Sequence, residues 1–521
     1  MLRAYRSDDV RAAESPLLEA GVPLMERAAY ALAQEVIGRR RRQGAGMAGT
    51  RVLALVGSGN NGGDALFAAA RLAKRGMSAR ALICGVPHAA GVVAAERAGV
   101  EIVSASSDAR EAAELAANLG QAAHVWIDGL IGIGARGPLR EPHASVVRAL
   151  NETRRRAAAE PLSIAVDVPS GIGVDDGVVS GEVFRADVTV TMGAIKPGLL
   201  LDPGRRYAGE IVDVPLGLEA HLPAEPALLS LGGADIADLW DFPGPDSHKY
   251  TRGVVGLMTG SPRYSGAALL TSDAALAGGC GMVRYAGPRP LTDLVISRHP
   301  EVLGDMGRVQ AWVLGSGVDM DNAEAASEVA RRLEESIAQG IPVVLDAGAI
   351  SLVNDLDVPS TVVLTPHAGE LAQLLAARGE AMTREEIGAA PARAARLAAT
   401  LTGATVLLKG SVDVACAPDD PLYAQGGAPA WRATAGAGDV LAGLLGAMLA
   451  AWGDELAELG KGRGIPARLA AGASYLHGRA AALASGASPA PGGQATRPGR
   501  PIRATEISAA IPAAIAESLA R

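Results

Sequence analysis

The chain has 521 residues, of which 49% are hydrophobic and 20% charged, and this balance excludes an intrinsically disordered protein. Its formal net charge of -8 argues against a nucleic-acid-binding surface, and no unbroken apolar run reaches the roughly 18 residues of a membrane span. Because one hydrophobic core rarely grows beyond roughly 250–300 residues, two or more domains are expected.

Cysteine usage points to a reducing compartment. Cys84, Cys280 and Cys416 lie far apart and form no CxxC pair, which predicts free thiols and no metal cluster. The first nine residues lack the apolar region of a signal peptide. We therefore expect a cytoplasmic protein whose partners are small molecules rather than nucleic acid or a membrane, and we expect it to form a homo-oligomer.

The first half alternates helical patterns with apolar runs typical of buried parallel strands. Apolar residues at helical spacing over 17–37 predict one or two helices, which end in a basic cluster at 39–42 that we interpret as a solvated helix end. Strands are predicted at 51–56, 80–84, 124–128, 162–167 and 188–192. This order indicates an open, doubly wound α/β sheet with Rossmann-like connections.

A glycine-rich loop follows the first of these strands. The segment GSGNNGGD at 57–64 leads directly into a helical pattern, which is the arrangement that holds phosphates at a helix N-terminus. A GxGxxG pattern alone is weak evidence. Here two amide side chains and a carboxylate lie inside the loop and are able to bind hydroxyl groups or a cation.

Three further strands end in polar loops. Asp128 and Asp167 each close a strand, and Lys196 follows another within MGAIKPG. A single aspartate in this position is more often a turn former or a helix cap. Since ligands of such sheets bind at the carboxyl ends of the strands, four polar loops in one sheet favour a binding site.

Five segments occur in the order seen in the NAD(P)H-hydrate epimerase family, the YjeF N-terminal domain: GVPLMERA, GSGNNGGD, DGLIGIG, VDVPSG and TMGAIKPG. The resemblance covers residues 1 to about 215 and implies interconversion of the R and S forms of hydrated nicotinamide nucleotides, with a bound potassium ion. By resemblance, the potassium ligands are Asn61, Asp128 and Ser170, a set of oxygen donors that suits a hard cation.

The same resemblance implies substrate contacts from the glycine-rich loop at 57–64, from the loop after Asp128 and from the end of the next strand. The residues are Asn60, Asn61, Gly62, Gly63, Asp64, Gly132, Ile133, Gly134, Ala135, Arg136, Gly137, Pro138 and Asp167. Asp167 is the candidate acid and base, with Lys196 as its electrostatic partner. The sequence departs from the family at Ala65, where glycine is usual. Domains of this fold also occur in non-catalytic scaffold proteins of RNA metabolism, but the intact asparagine and aspartate positions favour an enzyme.

The second half again alternates strands and helices. Pro223, Pro226 and the pair Gly232-Gly233 interrupt the pattern, so we place one domain at 1–222 and another at 223–521. Apolar runs predict strands of a second doubly wound α/β domain at 254–258, 311–314, 342–347, 361–364 and 406–411. Residues 485–501 are rich in proline and glycine and predict a surface loop, and a closing helix with Thr505 as its cap is expected after it.

The segment ATAGAGDVLAG at 433–443 carries the clearest chemistry of this half. Small residues lead into Asp439 and then an apolar helical run, which predicts an anion-binding helix N-terminus. Gly436 and Gly438 allow the main chain to approach a phosphate closely. Asp439 then lies where a carboxylate takes a proton from a substrate hydroxyl; a simple helix cap is the alternative.

Two more strand ends carry candidates. His367 follows a strand and Pro366, although a lone histidine is more often a surface or core residue. Lys409 is followed by a glycine and suits a phosphate, with an ordinary strand-ending lysine as the alternative.

Six segments resemble the ribokinase-like NAD(P)H-hydrate dehydratase family, the YjeF C-terminal domain, over about 245–521: HKYTRG, SGAALL, LGSG, TPHAGE, LLKG and TAGAGDVLAG. The resemblance implies that Asp439 deprotonates the hydrate hydroxyl, that the terminal phosphoryl group of a nucleotide is transferred to it, and that phosphate then leaves. It implies hydrate contacts from Ala267, Gly317, His367 and Asp439.

The nucleotide contacts implied by this resemblance fall in two loops, the lysine loop at 409–413 and the glycine loop at 435–438. The residues are Lys409, Gly410, Ser411, Val412, Asp413, Ala435, Gly436, Ala437 and Gly438. The implied donor is ADP, with ATP as the alternative and Mg²⁺ as the companion ion. The sequence departs from the family at Ala437, where threonine is common, and in the loop GSGVD at 315–319.

Together the two motif sets predict a bifunctional repair enzyme for NADHX and NADPHX, with an N-terminal epimerase domain and a C-terminal dehydratase domain. A small-molecule kinase of the ribokinase superfamily fused to a binding domain is the second hypothesis, and a stable phosphorylated product would distinguish it. A nucleotide-sensing or scaffold protein, which binds without turnover, is the third.

Overall fold

The computed structural model describes residues 1–134, 136–239, 243–458, 464–488 and 498–520. The chain divides into two compact units. The N-terminal unit comprises residues 3–227, and the C-terminal unit comprises the first two residues and the described residues from 228 onward. The domain limits at 1–222 and 223–521 stay a prediction.

After a short first strand, β1 (Leu2–Ala4), the N-terminal unit builds a seven-stranded sheet. Its strands are β2 (Arg51–Val56), β3 (Ser78–Ile83), β4 (Glu101–Ser104), β5 (Val125–Gly129), β6 (Leu162–Val166), β7 (Val188–Met192) and β8 (Glu210–Val214). The order is β4-β3-β2-β5-β6-β7-β8, and every neighbouring pair is parallel. The carboxyl ends of all these strands therefore lie at one edge of the sheet.

Helices connect these strands: α1 (Ser7–Glu19), α2 (Leu24–Arg42), α3 (Asn60–Ala73), α4 (Ala89–Arg97), α5 (Ala109–Ala122), α6 (His143–Arg156) and the short α7 (Arg205–Ala208). The central strands β5, β6 and β7 are buried along their whole length, which explains why their sequences are apolar rather than alternating. At Gly57, after β2, a Cβ atom would lie 1.7 Å from the carbonyl oxygen of Leu130, so only glycine fits where the two chains cross.

The C-terminal unit has nine further strands: β9 (Leu228–Ser230), β10 (Val254–Met258), β11 (Met282–Tyr285), β12 (Ala311–Leu314), β13 (Val343–Leu345), β14 (Val362–Leu364), β15 (Thr405–Leu408), β16 (Asp413–Cys416) and β17 (Leu422–Gln425). Strands β11-β10-β12-β13-β14-β15 are parallel neighbours. Strands β16 and β17 continue the sheet as an antiparallel hairpin, and β9 pairs with β17 in parallel.

The helices of this unit are α8 (Gly233–Ala237), α9 (Ser265–Ala277), α10 (Arg289–Arg298), α11 (Ala323–Ala338), α12 (Ala368–Ala377), α13 (Arg384–Ala389), α14 (Pro391–Thr402), α15 (Ala437–Ala451), α16 (Gly453–Glu458), α17 (Ile465–Ser485) and α18 (Ala504–Leu519). In α15 nearly every residue after the first turn is buried, because this helix packs against both α9 and α17.

The predicted fold class is confirmed: both units are doubly wound α/β sheets. The prediction of Thr505 as a helix cap was wrong, because α18 begins one residue earlier, after Arg503. The hairpin formed by β16 and β17 was not predicted, since its short strands lack a clear alternation of apolar and polar residues. Within the described residues, no helix combines the length and the hydropathy that a transmembrane segment requires.

Candidate functional site

A cavity of about 670 Å³ lies in the N-terminal unit, where the loops after several parallel strands meet. Of the residues expected to contact substrate, its wall contains Asn60, Asn61, Asp64, Gly132, Ile133, Gly134 and Asp167. Gly62 and Gly63 are buried within α3 instead, and Arg136, Gly137 and Pro138 are exposed outside the wall. Ala135 lies outside the described residues.

Asp167 follows β6 and has a φ of 66°, a left-handed conformation that costs energy for any residue with a Cβ atom. Its Oδ1 atom accepts hydrogen bonds from the backbone N–H of Met192 at 3.0 Å and from the hydroxyl of Thr191 at 3.2 Å. The buried ammonium group of Lys196 donates to the same oxygen. Three donors therefore fix the orientation of the Asp167 side chain in the cavity wall.

Lys196 does not line the cavity; it lies behind Asp167. Its side chain is fully buried, and its Nζ atom also donates to the carbonyl oxygen of Met192 at 2.9 Å. A buried ammonium is tolerated only when it is paired and hydrogen-bonded, as it is here. Lys196 therefore holds and orients Asp167 and makes no contact with the space where a substrate would bind.

Asp128 and Ser170 form a second buried group. The Ser170 hydroxyl donates to Asp128 Oδ1 at 2.7 Å, and the Ser170 N–H donates to Oδ2 at 2.8 Å. Burial raises the pKa of Asp128 to about 6, although the hydrogen bonds from Ser170 and Leu130 oppose this shift. Among the described residues, no cationic side chain acts on this carboxyl group.

Several residues of the cavity wall were missed by the sequence reasoning, among them Arg11 and Glu14 on α1. Arg11 donates to the carbonyl oxygen of Ile133 at 2.8 Å and so joins α1 to the loop after β5. Glu14 is half-buried, and burial raises its pKa; the charge of Lys196 opposes this and that of Asp167 adds to it. Neither residue follows a strand or a glycine loop, so no local signal marked them.

In the C-terminal unit, the ends of four neighbouring parallel strands meet at the carboxylate of Asp346, which follows β13. This carboxylate accepts hydrogen bonds from Ser316 at 2.8 Å, from Thr365 at 2.7 Å and from the Lys409 ammonium at 2.8 Å. Burial alone would raise the pKa of Asp346, but Lys409 and the two hydroxyls hold it below its ordinary value. Asp346 is therefore an anion that positions Lys409.

Asp439 lies in the first turn of α15, which begins after Gly436 at a φ of 87°. Among the described residues, no side-chain hydrogen bond caps the start of this helix, so the alternative interpretation of Asp439 as a simple cap was wrong. Burial raises the pKa of Asp439 to about 6; the charge of Asp346 adds to the shift and that of Lys409 opposes it. A Cβ atom at Gly438 would lie 3.5 Å from Lys409 Nζ, so the glycine loop and the lysine are adjacent.

The lysine loop is divided between exposed and buried residues. Gly410 and Ser411 are exposed, whereas Val412 and Asp413 are buried. Asp413 accepts hydrogen bonds from Arg432 at 2.7 Å and from Ser474 at 2.6 Å, and the N–H of Gly410 donates to it at 2.9 Å. These hydrogen bonds of the Asp413 carboxylate stabilise the conformation of the lysine loop.

The remaining predicted residues surround this region. The backbones of His367 and Lys409 form an isolated parallel β-bridge. The His367 side chain is 62% exposed and caps α12, because its ring accepts a hydrogen bond from the Glu370 N–H at 3.0 Å. A Cβ atom at Gly317 would lie 2.5 Å from that of Ala267, which places these two predicted contacts side by side. Of the glycine loop, Ala435 is exposed, Ala437 is buried, and the two glycines are half-buried.

Comparison with known proteins identifies the family. The family model described as "YjeF-related protein N-terminus" matches residues 21–198, and that described as "NAD(P)H-hydrate dehydratase" matches residues 255–497. A protein of Mycobacterium tuberculosis named bifunctional NAD(P)H-hydrate repair enzyme Nnr is 40% identical over 471 residues, which cover 86% of this chain and 89% of that protein. This chain belongs to the family of bifunctional NAD(P)H-hydrate repair enzymes.

Other members of this repair-enzyme family align over most of their length. The Mycobacterium leprae protein of the same name is 39% identical over 510 residues, or 94% of this chain and 96% of that protein. Among solved structures, an ADP/ATP-dependent NAD(P)H-hydrate dehydratase from Bacillus subtilis aligns with 55% of this chain and 97% of its own, at 22% identity and a TM-score of 0.46.

Asp346 is the residue of the dehydratase half that sequence reasoning missed. It stands directly after a buried apolar strand, which is the same signal that singled out Asp128 and Asp167 in the epimerase half. The signal was therefore present in the sequence. What the sequence did not show is that Ser316, Thr365 and Lys409 all converge on this one carboxylate.

Proposed function

We propose that the N-terminal unit interconverts the R and S epimers of NADHX and NADPHX, and that the C-terminal unit returns the S epimer to NADH or NADPH with ADP as the phosphoryl donor. The observation that carries this proposal is that Asp439 lies at the glycine-rich start of α15, where the Lys409 ammonium is adjacent to Gly438 and its charge acts on Asp439. A base beside an anion-binding helix N-terminus is what transfer of a phosphoryl group to a hydroxyl requires.

In the C-terminal unit, the ionised carboxyl group of Asp439 takes the proton of the hydrate hydroxyl. The oxygen then attacks the terminal phosphorus of ADP, and AMP leaves with the electrons of the broken bond. Lys409, positioned by Asp346 at 2.8 Å, meets the charge that develops on the phosphates. Phosphate then departs from the ring carbon, the neighbouring carbon loses a proton, and the double bond of the nicotinamide ring is restored.

Mg²⁺ accompanies the nucleotide in this proposal. Among the residues that the structure describes, no cluster of three acidic, histidine or cysteine side chains could enclose a metal ion. Mg²⁺ commonly keeps several waters and binds through substrate phosphates rather than in a protein cage, so the donor set fits an ion carried by the nucleotide.

A potassium ion in the N-terminal unit fits the residues present. Asp128 is a fully buried carboxyl group with no cationic partner in the described part of the chain. Asn61, Asp128 and Ser170 would hold the ion through oxygen atoms. When bound, it supplies the countercharge that the buried carboxylate lacks.

The test uses purified full-length protein and a mixture of R- and S-NADHX, supplied with ADP, ATP or no nucleotide. Recovery of reduced-nicotinamide absorbance is followed while the two epimers are resolved by chromatography. Complete recovery from both epimers with ADP supports both activities and the donor. Recovery of the S epimer alone contradicts the epimerase, and a stable phosphorylated product contradicts the dehydratase in favour of a kinase.

A further inference from the structure

We propose that Asp64 is a second catalytic group of the N-terminal site, which donates a proton to the hydrate hydroxyl while Asp167 acts as the base. This inference rests on the proposed epimerase function. The family resemblance assigns Asp64 only a contact with substrate. The structure places Asp64 in the same cavity wall as Asp167, but Asp167 has a lysine partner and the Oδ1 atom of Asp64 has no hydrogen-bond partner among the described residues.

The two carboxyl groups differ in their hydrogen bonds. Asp167 Oδ1 receives three donors, one of them the Lys196 ammonium. Asp64 has only 9% of its surface exposed, and among the described residues its Oδ1 atom has no hydrogen-bond partner. A buried ionised oxygen without a donor is costly, whereas a protonated carboxyl group can itself donate to a ligand in the cavity.

The surrounding charges act in the same direction. Burial raises the pKa of Asp64 well above its usual range, and the charges of Asp167 and Glu14 raise it further. The cations near this cluster, Lys196 and Arg11, act on Glu14 and not on Asp64. His143 also lines the cavity, and burial lowers its pKa, so it adds no positive charge at neutral pH.

Asp64 is the fifth residue of α3 and so lies beyond the first turn, where the helix dipole would stabilise a carboxylate most strongly. One carboxyl group of the cavity is thus ion-paired, whereas burial and the neighbouring carboxylates favour the protonated form of the other. Two carboxyl groups in one cavity with such different hydrogen-bond partners are suited to act as an acid and a base.

The chemistry of inversion uses both groups. Asp64 protonates the hydroxyl on the ring carbon next to nitrogen, the carbon–oxygen bond breaks, and water leaves with the bonding electrons. The ring nitrogen lone pair forms a carbon–nitrogen double bond. A water molecule then adds to the opposite face, and Asp167 takes its proton. The reverse reaction uses protonated Asp167 as the acid and ionised Asp64 as the base, and proton exchange with water restores the starting pair.

The test compares Asp64→Asn with wild type in R-to-S epimerisation without nucleotide. The amide keeps the shape but has no acidic proton, so kcat should fall about 100-fold or more, the range of general acid catalysis, while KM changes little. Glu114→Gln, an exposed carboxylate on α5 outside the cavity wall, is the matched control. ADP-dependent dehydration of S-NADHX by the same preparation shows that the C-terminal unit is intact, and the melting temperature of the variant checks the N-terminal unit.

A residue that only binds substrate would raise KM and leave kcat unchanged in Asp64→Asn, and that result overturns the proposal. A wild-type protein that does not epimerise at all overturns the epimerase function instead. The wild-type pH profile of kcat should fall on its alkaline side as Asp64 ionises, and Asp64→Glu should keep an alkaline limb that Asp64→Asn lacks.

Should Asp64→Asn fail to fold, the wild-type profile decides, because a rate that stays constant at high pH overturns the proposal. Epimerisation in ¹⁸O-labelled water provides an independent readout. The inverted product should carry solvent oxygen, measured by mass spectrometry against an enzyme-free control. Inversion without incorporation contradicts cleavage of the carbon–oxygen bond and so the acid role.

Discussion

At the scale of single residues, each unit pairs a lysine with an aspartate at the carboxyl edge of its sheet, and the lysine is fully buried in the N-terminal unit and half-buried in the C-terminal unit. Lys196 pairs with Asp167 in the N-terminal unit, and Lys409 pairs with Asp346 in the C-terminal unit. The pairs have different consequences. Asp167 faces the cavity and is itself a candidate base, whereas Asp346 is buried and acts on the base Asp439 through its charge.

We expect Asp439→Asn to abolish ADP-dependent dehydration and leave epimerisation intact, because the amide cannot accept the hydroxyl proton. In the wild type the base form of Asp439 is lost as the pH falls through about 6, so kcat/KM for dehydration should drop about tenfold per pH unit below that value. Steady-state rates between about pH 4.5 and pH 8, on both sides of the pKa, check this. Unchanged dehydration in the variant would refute the assignment.

Asp346→Asn should move the acid limb of the same profile to lower pH. The carboxylate of Asp346 raises the pKa of Asp439, so its removal lets Asp439 ionise more easily, and kcat should fall because Lys409 loses its partner. Asp357→Asn, which removes an exposed carboxylate, is the control. A profile that keeps its wild-type midpoint would contradict the electrostatic role.

At the scale of elements, both candidate sites use a helix that begins directly after a glycine in an unusual conformation. Gly59 precedes α3 with a φ of 88°, and Gly436 precedes α15 with a φ of 87°. The patterns of small residues before an apolar helical run predicted a helix after each glycine loop, because only glycine adopts these angles without strain. The predicted start of α3 was wrong: the helix begins at Asn60, so residues 60–64 of the predicted loop belong to it.

We expect Gly436→Ala to destabilise the C-terminal unit by about 1–2 kcal/mol and to weaken ADP binding. The positive φ disfavours any Cβ atom, and the new methyl group would lie 2.4 Å from the Leu270 side chain. Gly388→Ala, in α13 with open space around it, should be neutral or slightly stabilising. Denaturant unfolding and nucleotide titration measure both effects, and equal changes in the two variants would contradict the argument.

At the scale of the whole molecule, the chain carries two sites in two compact units, and each site should respond to its own ligand. Potassium should raise the melting temperature of the N-terminal unit, and ADP that of the C-terminal unit, since a ligand at 100 times its Kd adds about 2.7 kcal/mol. The homo-oligomer and the cytoplasmic location stay predictions.

Calorimetry in KCl and in choline chloride at equal ionic strength tests the potassium site. The wild type should melt at higher temperature in KCl, and Asp128→Asn should lose that difference because the buried countercharge is gone. Epimerisation should show the same ion dependence. A potassium-dependent shift that persists in Asp128→Asn would place the ion elsewhere.

The sequence by itself determined the two α/β units, most of their central parallel strands and the glycines that precede α3 and α15, because burial of parallel strands and positive φ angles leave local patterns. The order of the strands within each sheet was not predicted. The sequence also marked Asp128, Asp167, Lys409 and Asp439 by their positions after strands or at a helix start. Only the tertiary structure decided which of these groups meet. The approach of Glu14 to Asp64, and the pairing of Asp346 with Lys409, join segments far apart in the chain, and burial and charge at those points arise only when the segments pack.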